Sequence, residues 1–293
     1  MPHSLKLCLL TALVLFQAEA VMAAGPLRFV CWNLEWFPGK RPTASEKEAK
    51  DHMKEAQAAL KKLNPDIFVA VEIRDWAALQ ELVSVVPGLT VHTVSSFYDT
   101  TTGKLGFQQV GIASKLVCRG AWWENWQATM PAISRGFSFA TLEVPKEGLL
   151  MIYGVHLKSN RGSDDPGGAK NVADMRNNQA AQLIAHRKKI EVTFAEQGIL
   201  GWIACGDMNT NHDGQFPLCN VVKIMAEGGF YNTWSTTPKE KRRTWLPPKD
   251  SPFEATTFDY IFTSGLKKNA AMVIDASEDV SDHTPVGLLV EEP

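Results

Sequence analysis

Short apolar runs alternate along the chain with longer segments whose apolar residues recur at helical spacing. Leu27–Asn33 is an apolar run ending in Asn and predicts a strand. Thr43-Ala44-Ser45-Glu46 reads as a capping box. Ala49, Met53, Ala56, Leu60 and Leu63 then mark one face of a helix that Asn64-Pro65 stops. Ile67–Ile73 is β-branched and apolar, a buried strand delivering Glu72 at its end. Asp75 caps a short helix through Val86. Further strands are predicted at Leu89–Val94, Gln108–Ala113, Phe137–Val144, Leu149–Val155, Trp202–Cys205, Phe258–Phe262 and Pro285–Val290. A long helix covers Val172 to Gln197, with Gly198 as its stop. Tyr231–Ala255 is rich in Pro, Lys and Arg and reads as a long surface loop. Strand-rich halves with interspersed helices predict two sheets packed face to face with helices outside.

The first 24 residues stand apart from this pattern. Lys6 gives a basic start, and Leu7–Phe16 is apolar but far too short to span a bilayer. Ala18-Glu19-Ala20 and Met22-Ala23-Ala24 offer small residues before a cut. Residues 1–24 therefore read as a cleaved secretory signal, with a short membrane anchor as the competing reading. Residues 25–293 are then expected to form one large α/β domain of a secreted or periplasmic monomer, without membrane insertion after cleavage. The formal net charge of −2 excludes a broad basic field of the kind a counterion-releasing binder needs. An enzyme that recruits phosphate through a metal ion has no such need. Cys31, Cys118, Cys205 and Cys219 allow three pairings. Cys31 and Cys205 sit inside apolar runs and read as small buried hydrophobes.

Polar groups cluster at or just past the ends of the apolar runs, in a fixed order: Trp32-Asn33-Leu34-Glu35-Trp36, Val71-Glu72, Gly154–Asn160, Gly206-Asp207-Met208-Asn209, Phe258-Asp259-Tyr260-Ile261 and Ser281-Asp282-His283. Strand ends of this kind hand residues to a cleft at the edge of a sheet. The set holds carboxylates, carboxamides and two histidines, His156 and His283, without the Cys–His spacing of a zinc site. Oxygen ligands suit Mg²⁺ or Mn²⁺, whose common task is to neutralise phosphate. Asp207 and Asn209 are two apart. In an extended segment both would point to one side and address one phosphate, whereas the bland alternative is an Asx turn after a strand. Asp259 and His283 look like a His–carboxylate pair, the Asp fixing the tautomer.

These motifs, in this order, resemble the endonuclease/exonuclease/phosphatase superfamily, which includes pancreatic-type deoxyribonucleases, apurinic endonucleases, neutral sphingomyelinases and inositol-polyphosphate phosphatases. The resemblance runs from about Leu27 to Val290. It implies a four-layer α/β-β/α sandwich, two packed mixed β-sheets flanked by helices. It implies metal-dependent hydrolysis of phosphoric esters, with Glu72 as metal ligand, Asn33 beside it and Asp282 as a further acidic group. Asp207 would orient or deprotonate the attacking water, Asn209 would bind the phosphate, and His283 would donate to it. His156 matches a His of the pancreatic-type relatives. Ser134-Arg135 resembles an Arg that deoxyribonucleases place on substrate phosphate. Lys158, Ser159, Asn160 and Arg161 follow His156 at the expected cleft rim and would touch flanking phosphates.

Nucleic acid is the substrate these features favour, and a phospholipid phosphodiesterase, a phosphomonoesterase or an inactive binding module are the alternatives. The run Lys239, Lys241, Arg242, Arg243 is either a solvated face or a nucleic-acid contact. Trp122, Trp123 and Trp126 are either packing in a hairpin or an exposed lipid-touching edge.

Overall fold

Two neighbouring strands, β1 (Leu27–Phe37) and β2 (Ile67–Ile73), set the layering. They run parallel, with Phe29 opposite Ile67 and Asn33 opposite Val71. Their side chains part by parity. Phe29, Cys31, Ile67, Val69 and Val71 enter one core, while Val30, Trp32, Leu34, Phe68 and Ala70 enter another. Burial on both faces is why these strands read as nearly unbroken apolar runs. The computed structural model describes residues 25–98, 103–127, 135–274 and 280–291, so the signal reading of 1–24 and Ser134 lie outside the described residues.

The remaining described strands are β3 (Thr90–Val94), β4 (Gln109–Ser114), β5 (Val117–Asn125), β6 (Gly136–Val144), β7 (Gly148–His156), β8 (Ile199–Asp207), β9 (Tyr231–Asn232), β10 (Asp259–Ser264), β11 (Met272–Val273) and β12 (Val286–Val290). They form two six-stranded mixed sheets, ordered β11-β12-β1-β2-β4-β3 and β5-β6-β7-β8-β10-β9. Helices α1 (Glu46–Leu63) and α2 (Trp76–Val83) cover the outer face of the first sheet through Met53, Ala56, Leu60, Leu79 and Leu82. Helices α3 (Gly168–Thr193) and α4 (Val221–Glu227) cover the second through Ala180, Leu183, Val221 and Met225. This is the sandwich of two mixed sheets between helices that the sequence pattern implied.

Several boundaries moved. The capping box uses Ser45 and Glu48, two residues past the expected start, with Ser45 N–H donating to Glu48 at 2.7 Å. Helix α2 stops at Val83, and α3 runs Gly168–Thr193 before a short 3-10 turn. β5 and α4 were not foreseen. β5 settles the tryptophans: Trp122 packs on Phe139 with centroids 4.5 Å apart, and Trp126 is buried, so hairpin packing holds. The segment 231–255 is not a loose surface loop. It buries Trp234, Arg242 and Thr244, and the Trp234 indole donates to Asp259 O at 2.9 Å. All four described cysteines are free, and Cys31 and Cys205 are buried as expected.

Two irregularities aim residues at the sheet edge. The β2 register shifts between Val71 and Ile73, where Glu72 has φ 61°. Ile73 therefore joins the helix-side core with Phe68 and Ala70, breaking parity, and Glu72 is thrown out of the ladder. β1 does the same between Asn33 and Phe37, where Glu35 and Trp36 have φ 48° and 49°. The sheets press together at Gly154, where a Cβ would lie 2.9 Å from Cγ1 of both Val69 and Val110. Ser138 Oγ also donates across the gap to Val110 O at 2.7 Å.

Gly154→Ala is therefore expected to destabilise the fold by about 1–3 kcal/mol through overpacking. In urea unfolding, Val110→Ala should cost less in that background than in the parent, because it opens the space the new methyl needs. Equal costs in both backgrounds would mean the sheets do not press on Gly154.

Candidate active site

β7 and β8 are parallel and β8 and β10 antiparallel, with His156 opposite Asp207 and Asp207 opposite Asp259. Three polar side chains thus stand in one row across three strands of the second sheet. Asn33 and Glu72 reach the same edge from the first sheet. Asn33 lies at an odd, inward position of β1, and its Nδ2 donates to Asp207 Oδ2 at 3.2 Å and approaches Glu72 Oε1 at 3.5 Å. Glu72 is held by the Trp36 N–H at 3.0 Å. His156 Nε2 lies 3.6 Å from both Glu72 Oε1 and Asp207 Oδ2.

His283 enters from the turn before β12. Its Nδ1 lies 2.6 Å from Asp259 Oδ2, and its Nε2 lies 3.9 Å from Asp207 Oδ2. Burial alone would strip its proton, but the Asp259 charge and hydrogen bond, with Asp207 and Asp282 behind them, raise its pKa to about 10. His156 goes the other way. Burial, then Arg135 and His283, hold it well below the usual histidine range, so it is neutral. Burial lifts Asp207 to about 7; His283 opposes this, while Asp259 and Glu72 add to it. One imidazolium, one imidazole and a carboxylate near its midpoint thus share a buried corner.

The residues that could hold a metal are Glu72, His156 and Asp207, whose donor atoms all lie within 4.8 Å of one another. The fit is chemical as well as spatial. Two carboxylates suit a hard divalent ion, and a neutral imidazole presents a lone pair. His156 Nδ1 is buried without a hydrogen-bond partner.

Asp282 stands apart from that trio. Its Oδ2 accepts from Trp245 Nε1 at 2.9 Å, and its N–H donates to Glu35 Oε2 at 3.2 Å. Asn33 turns its amide nitrogen, not its oxygen, toward the carboxylates, and its Oδ1 accepts from the Glu35 N–H. Glu35 was quoted in the sequence motif without a role. Burial and then Asp282 raise it to about 7. Its place two residues past Asn33 was the only signal that could have marked it.

Asn209 corrects the extended-segment argument. The strand ends at Asp207, whose Oδ1 accepts from the Asn209 N–H at 2.8 Å, and Asn209 has φ 51°. That is an Asx turn, and it still leaves both residues lining the same cleft. Asn160 lines it too, donating to Asn209 O at 3.1 Å. Arg135 lines it with its guanidinium on Gln108 Oε1 at 2.7 Å and Leu157 O at 3.1 Å. Lys158 is not a cleft residue. Its Nζ folds back on the carbonyls of Ser159 and Arg161 at 2.9 and 2.8 Å, ordering the loop that carries Asn160. Arg176 on α3 was missed: fully buried, it donates to Lys158 O and Asn160 Oδ1 at 3.0 and 2.9 Å. Nothing in the sequence separates it from other helical arginines. Arg242 also departs from its reading, being buried and paired through both Nη atoms with Asp213.

No protein-family model matches the sequence, and no curated protein matches it. Solved structures do. Truncated TDP2 from Caenorhabditis elegans superposes with a TM-score of 0.61 at 14% identity, over 91% of this chain and 98% of that one. An endonuclease/exonuclease/phosphatase family protein from Leptotrichia buccalis gives 0.61 at 15% identity, over 90% and 99%. The chain has the endonuclease/exonuclease/phosphatase fold. A beta toxin of Staphylococcus aureus shares that fold, with a TM-score of 0.63 at 16% identity over 91% and 100% of the two chains.

The Asp259–His283 pair can be tested without any substrate. At about pH 8, below its raised pKa, His283 should show the nitrogen NMR shifts of a doubly protonated ring. In Asp259→Asn, burial should prevail and the ring should be neutral at that pH. A ring that stays protonated in the variant would assign the raised pKa to another group.

Proposed function

We propose that the protein is a metal-dependent phosphoric diester hydrolase whose substrate is nucleic acid. The observation that carries this reading is the buried His283, held by Asp259 at 2.6 Å and facing Asp207 at 3.9 Å beside a trio able to bind a cation. Similarity of fold to TDP2 and to endonuclease/exonuclease/phosphatase proteins supports it.

Phosphodiester hydrolysis needs a placed nucleophile, relief of charge on the phosphate and help for the leaving oxygen. Glu72, Asp207 and His156 Nε2 would hold Mg²⁺ or Mn²⁺, which when bound neutralises phosphate charge. Asp207 accepts hydrogen bonds at the floor of the cleft, where it would orient the attacking water and draw off its proton. The imidazolium of His283 gives a hydrogen bond, through Nε2, to an oxygen of the phosphate as charge builds there. Asn33 keeps the Glu72 and Asp207 carboxylates together, offsetting their repulsion with one amide. Arg135 adds a guanidinium within electrostatic reach of Glu72 and Asp207, matched to a phosphate oxygen. Asn160 supports the Asn209 turn from the loop side.

We also propose export from the cytoplasm, on the signal-like character of residues 1–24 alone. No helix among the described residues is long and apolar enough to cross a membrane.

The deciding assay offers the purified protein plasmid DNA, RNA, sphingomyelin vesicles and a phosphomonoester with Mg²⁺. Nucleic-acid cleavage should vanish in EDTA and return with Mg²⁺ or Mn²⁺. Undiminished cleavage in EDTA would remove the metal from the reading. Glu72→Gln should weaken Mg²⁺ or Mn²⁺ binding in calorimetry as well as slow cleavage, since it deletes one anionic ligand at nearly constant shape.

His283→Ala should lower kcat by on the order of 10²-fold or more. Asp259→Asn should do comparable damage, and the double variant should lose much less than the product of the two. Multiplying losses would mean that the residues act independently.

A further inference from the structure

The hydrolytic groups occupy only the floor of a cleft of about 1000 Å³. One wall is a chain of rings. Phe216 lies against Phe258 with centroids 5.9 Å apart, Phe258 against Trp245 at 5.4 Å, and Trp245 against Phe253 at 6.4 Å. The chain begins beside the site, because Phe258 precedes Asp259 and the Trp245 indole is fixed by Asp282. It ends in solvent, with Phe253 62% exposed. Leu105 and Phe107 line the same cleft and are 40% and 43% exposed. Phe258 is buried and Phe216 and Trp245 are half-buried, but core packing does not account for Phe253 and Phe107, left this exposed at a polar site. The hydrolytic steps make no use of them.

We propose that this wall stacks unpaired nucleobases next to the scissile phosphate, so that the substrate is single-stranded nucleic acid or a frayed strand end. The proposal rests on the nucleic-acid reading above. Rings that bind bases by their faces work on any base, and each stacked base contributes substantially to binding. An intact duplex offers no free base face along its length. Its recognition also draws on a strongly positive surface, which this chain lacks at a net charge of −2. Of the cations that sequence offered for nucleic acid, Arg242 and Lys158 are spent on Asp213 and on loop carbonyls, and Arg161 lines the cleft. An acyl chain would be met equally well by aliphatic side chains, yet four rings in sequence build this wall.

The test compares kcat/KM with Mg²⁺ on an unpaired oligonucleotide, on the same strand with abasic spacers flanking the cleaved bond, and on its duplex. The base-bearing single strand should be preferred over the abasic one by about tenfold or more. Phe253→Ala should collapse that ratio, Phe253→Tyr should preserve it, and Phe253→Leu should not restore it. Phe253 is exposed, so these variants should fold. Phe107→Ala gives a second reading from the opposite lip.

Quenching of a fluorescent purine analogue in the bound strand reports stacking without turnover, and Phe253→Ala should abolish it. Cleavage that ignores the bases, a preference for duplex, or full activity of Phe253→Leu would overturn the stacking proposal while leaving the hydrolase reading intact. Vesicle hydrolysis in which Leu serves as well as Phe would assign the wall to lipid. Quenching without hydrolysis of any diester would keep the stacking and sink the hydrolase.

Discussion

The close approach of the two sheets at Gly154 is the constraint on which the site depends. Glu72 and Asn33 belong to one sheet, and His156, Asp207 and Asp259 to the other. No local element can hold them together. Their separation follows from how far apart the sheets sit, and at Gly154 that gap leaves no room for a Cβ beside Val69 and Val110. Gly154 lies only two residues before His156, so the spacer and the site share one strand. The Asn33–Asp207 hydrogen bond then locks the register across the gap. A tightly packed interior transmits strain, so a change of a few tenths of an ångström at the spacer would be felt at the carboxylates.

Within that frame, the buried charges decide one another. Glu72, Asp207 and Asp259 crowd a small volume with one imidazolium among them. Asp259 pairs with His283, while burial, helped by the charges of Asp259 and Glu72 and opposed by His283, lifts Asp207 to about 7 and leaves the acidic groups in excess. A divalent cation between Glu72 and Asp207 would relieve that imbalance. Arg135 already offsets part of the acidic charge, and a cation would offset the rest. Backbone conformation adds to the cost of assembling the site. Glu72, Glu35, Trp36 and Asn209 all adopt positive φ, which side chains other than glycine rarely do, and all four lie at the sheet edge.

How much of this could be read from sequence follows from the range of the forces involved. Strand ends, caps and parity are local, so the sandwich, Glu72 at the end of β2 and the row of polar residues past β7 and β8 were legible. The His283–Asp259 pair was legible because each residue sits just at or before the start of a strand, β12 and β10, inside a short recognisable motif. Long cations were not. Lys158 and Arg242 find partners in backbone carbonyls and in Asp213, far from where a basic pattern points. Burial, which makes Arg176 an anchor and shifts Glu35, is a property of the packed molecule, with no trace in a window of sequence. The Asx turn at Asn209 shows a finer limit. The spacing of Asp207 and Asn209 was right, yet the strand stopped at Asp207, two residues short of where the argument needed it to run.

The charge pattern and the aromatic pattern of the cleft answer the same difficulty. A chain of net charge −2 gains little from long-range attraction to a polyanion. For the nucleic-acid substrate proposed above, short-range contacts would have to do the holding instead. Arg135 and His283 supply positive charge where the phosphate itself would lie, inside a cleft that shields them from salt. Away from the phosphate, the wall of rings offers contact area that salt does not weaken. Association at such a site depends less on ionic strength than association on a basic groove, because few counterions are displaced per contact. Among the basic residues of 239–243, Arg242 alone is buried, and it is spent on structure. Arg242 ties that segment to Asp213, and the segment in turn carries Trp245 to the edge of the active site.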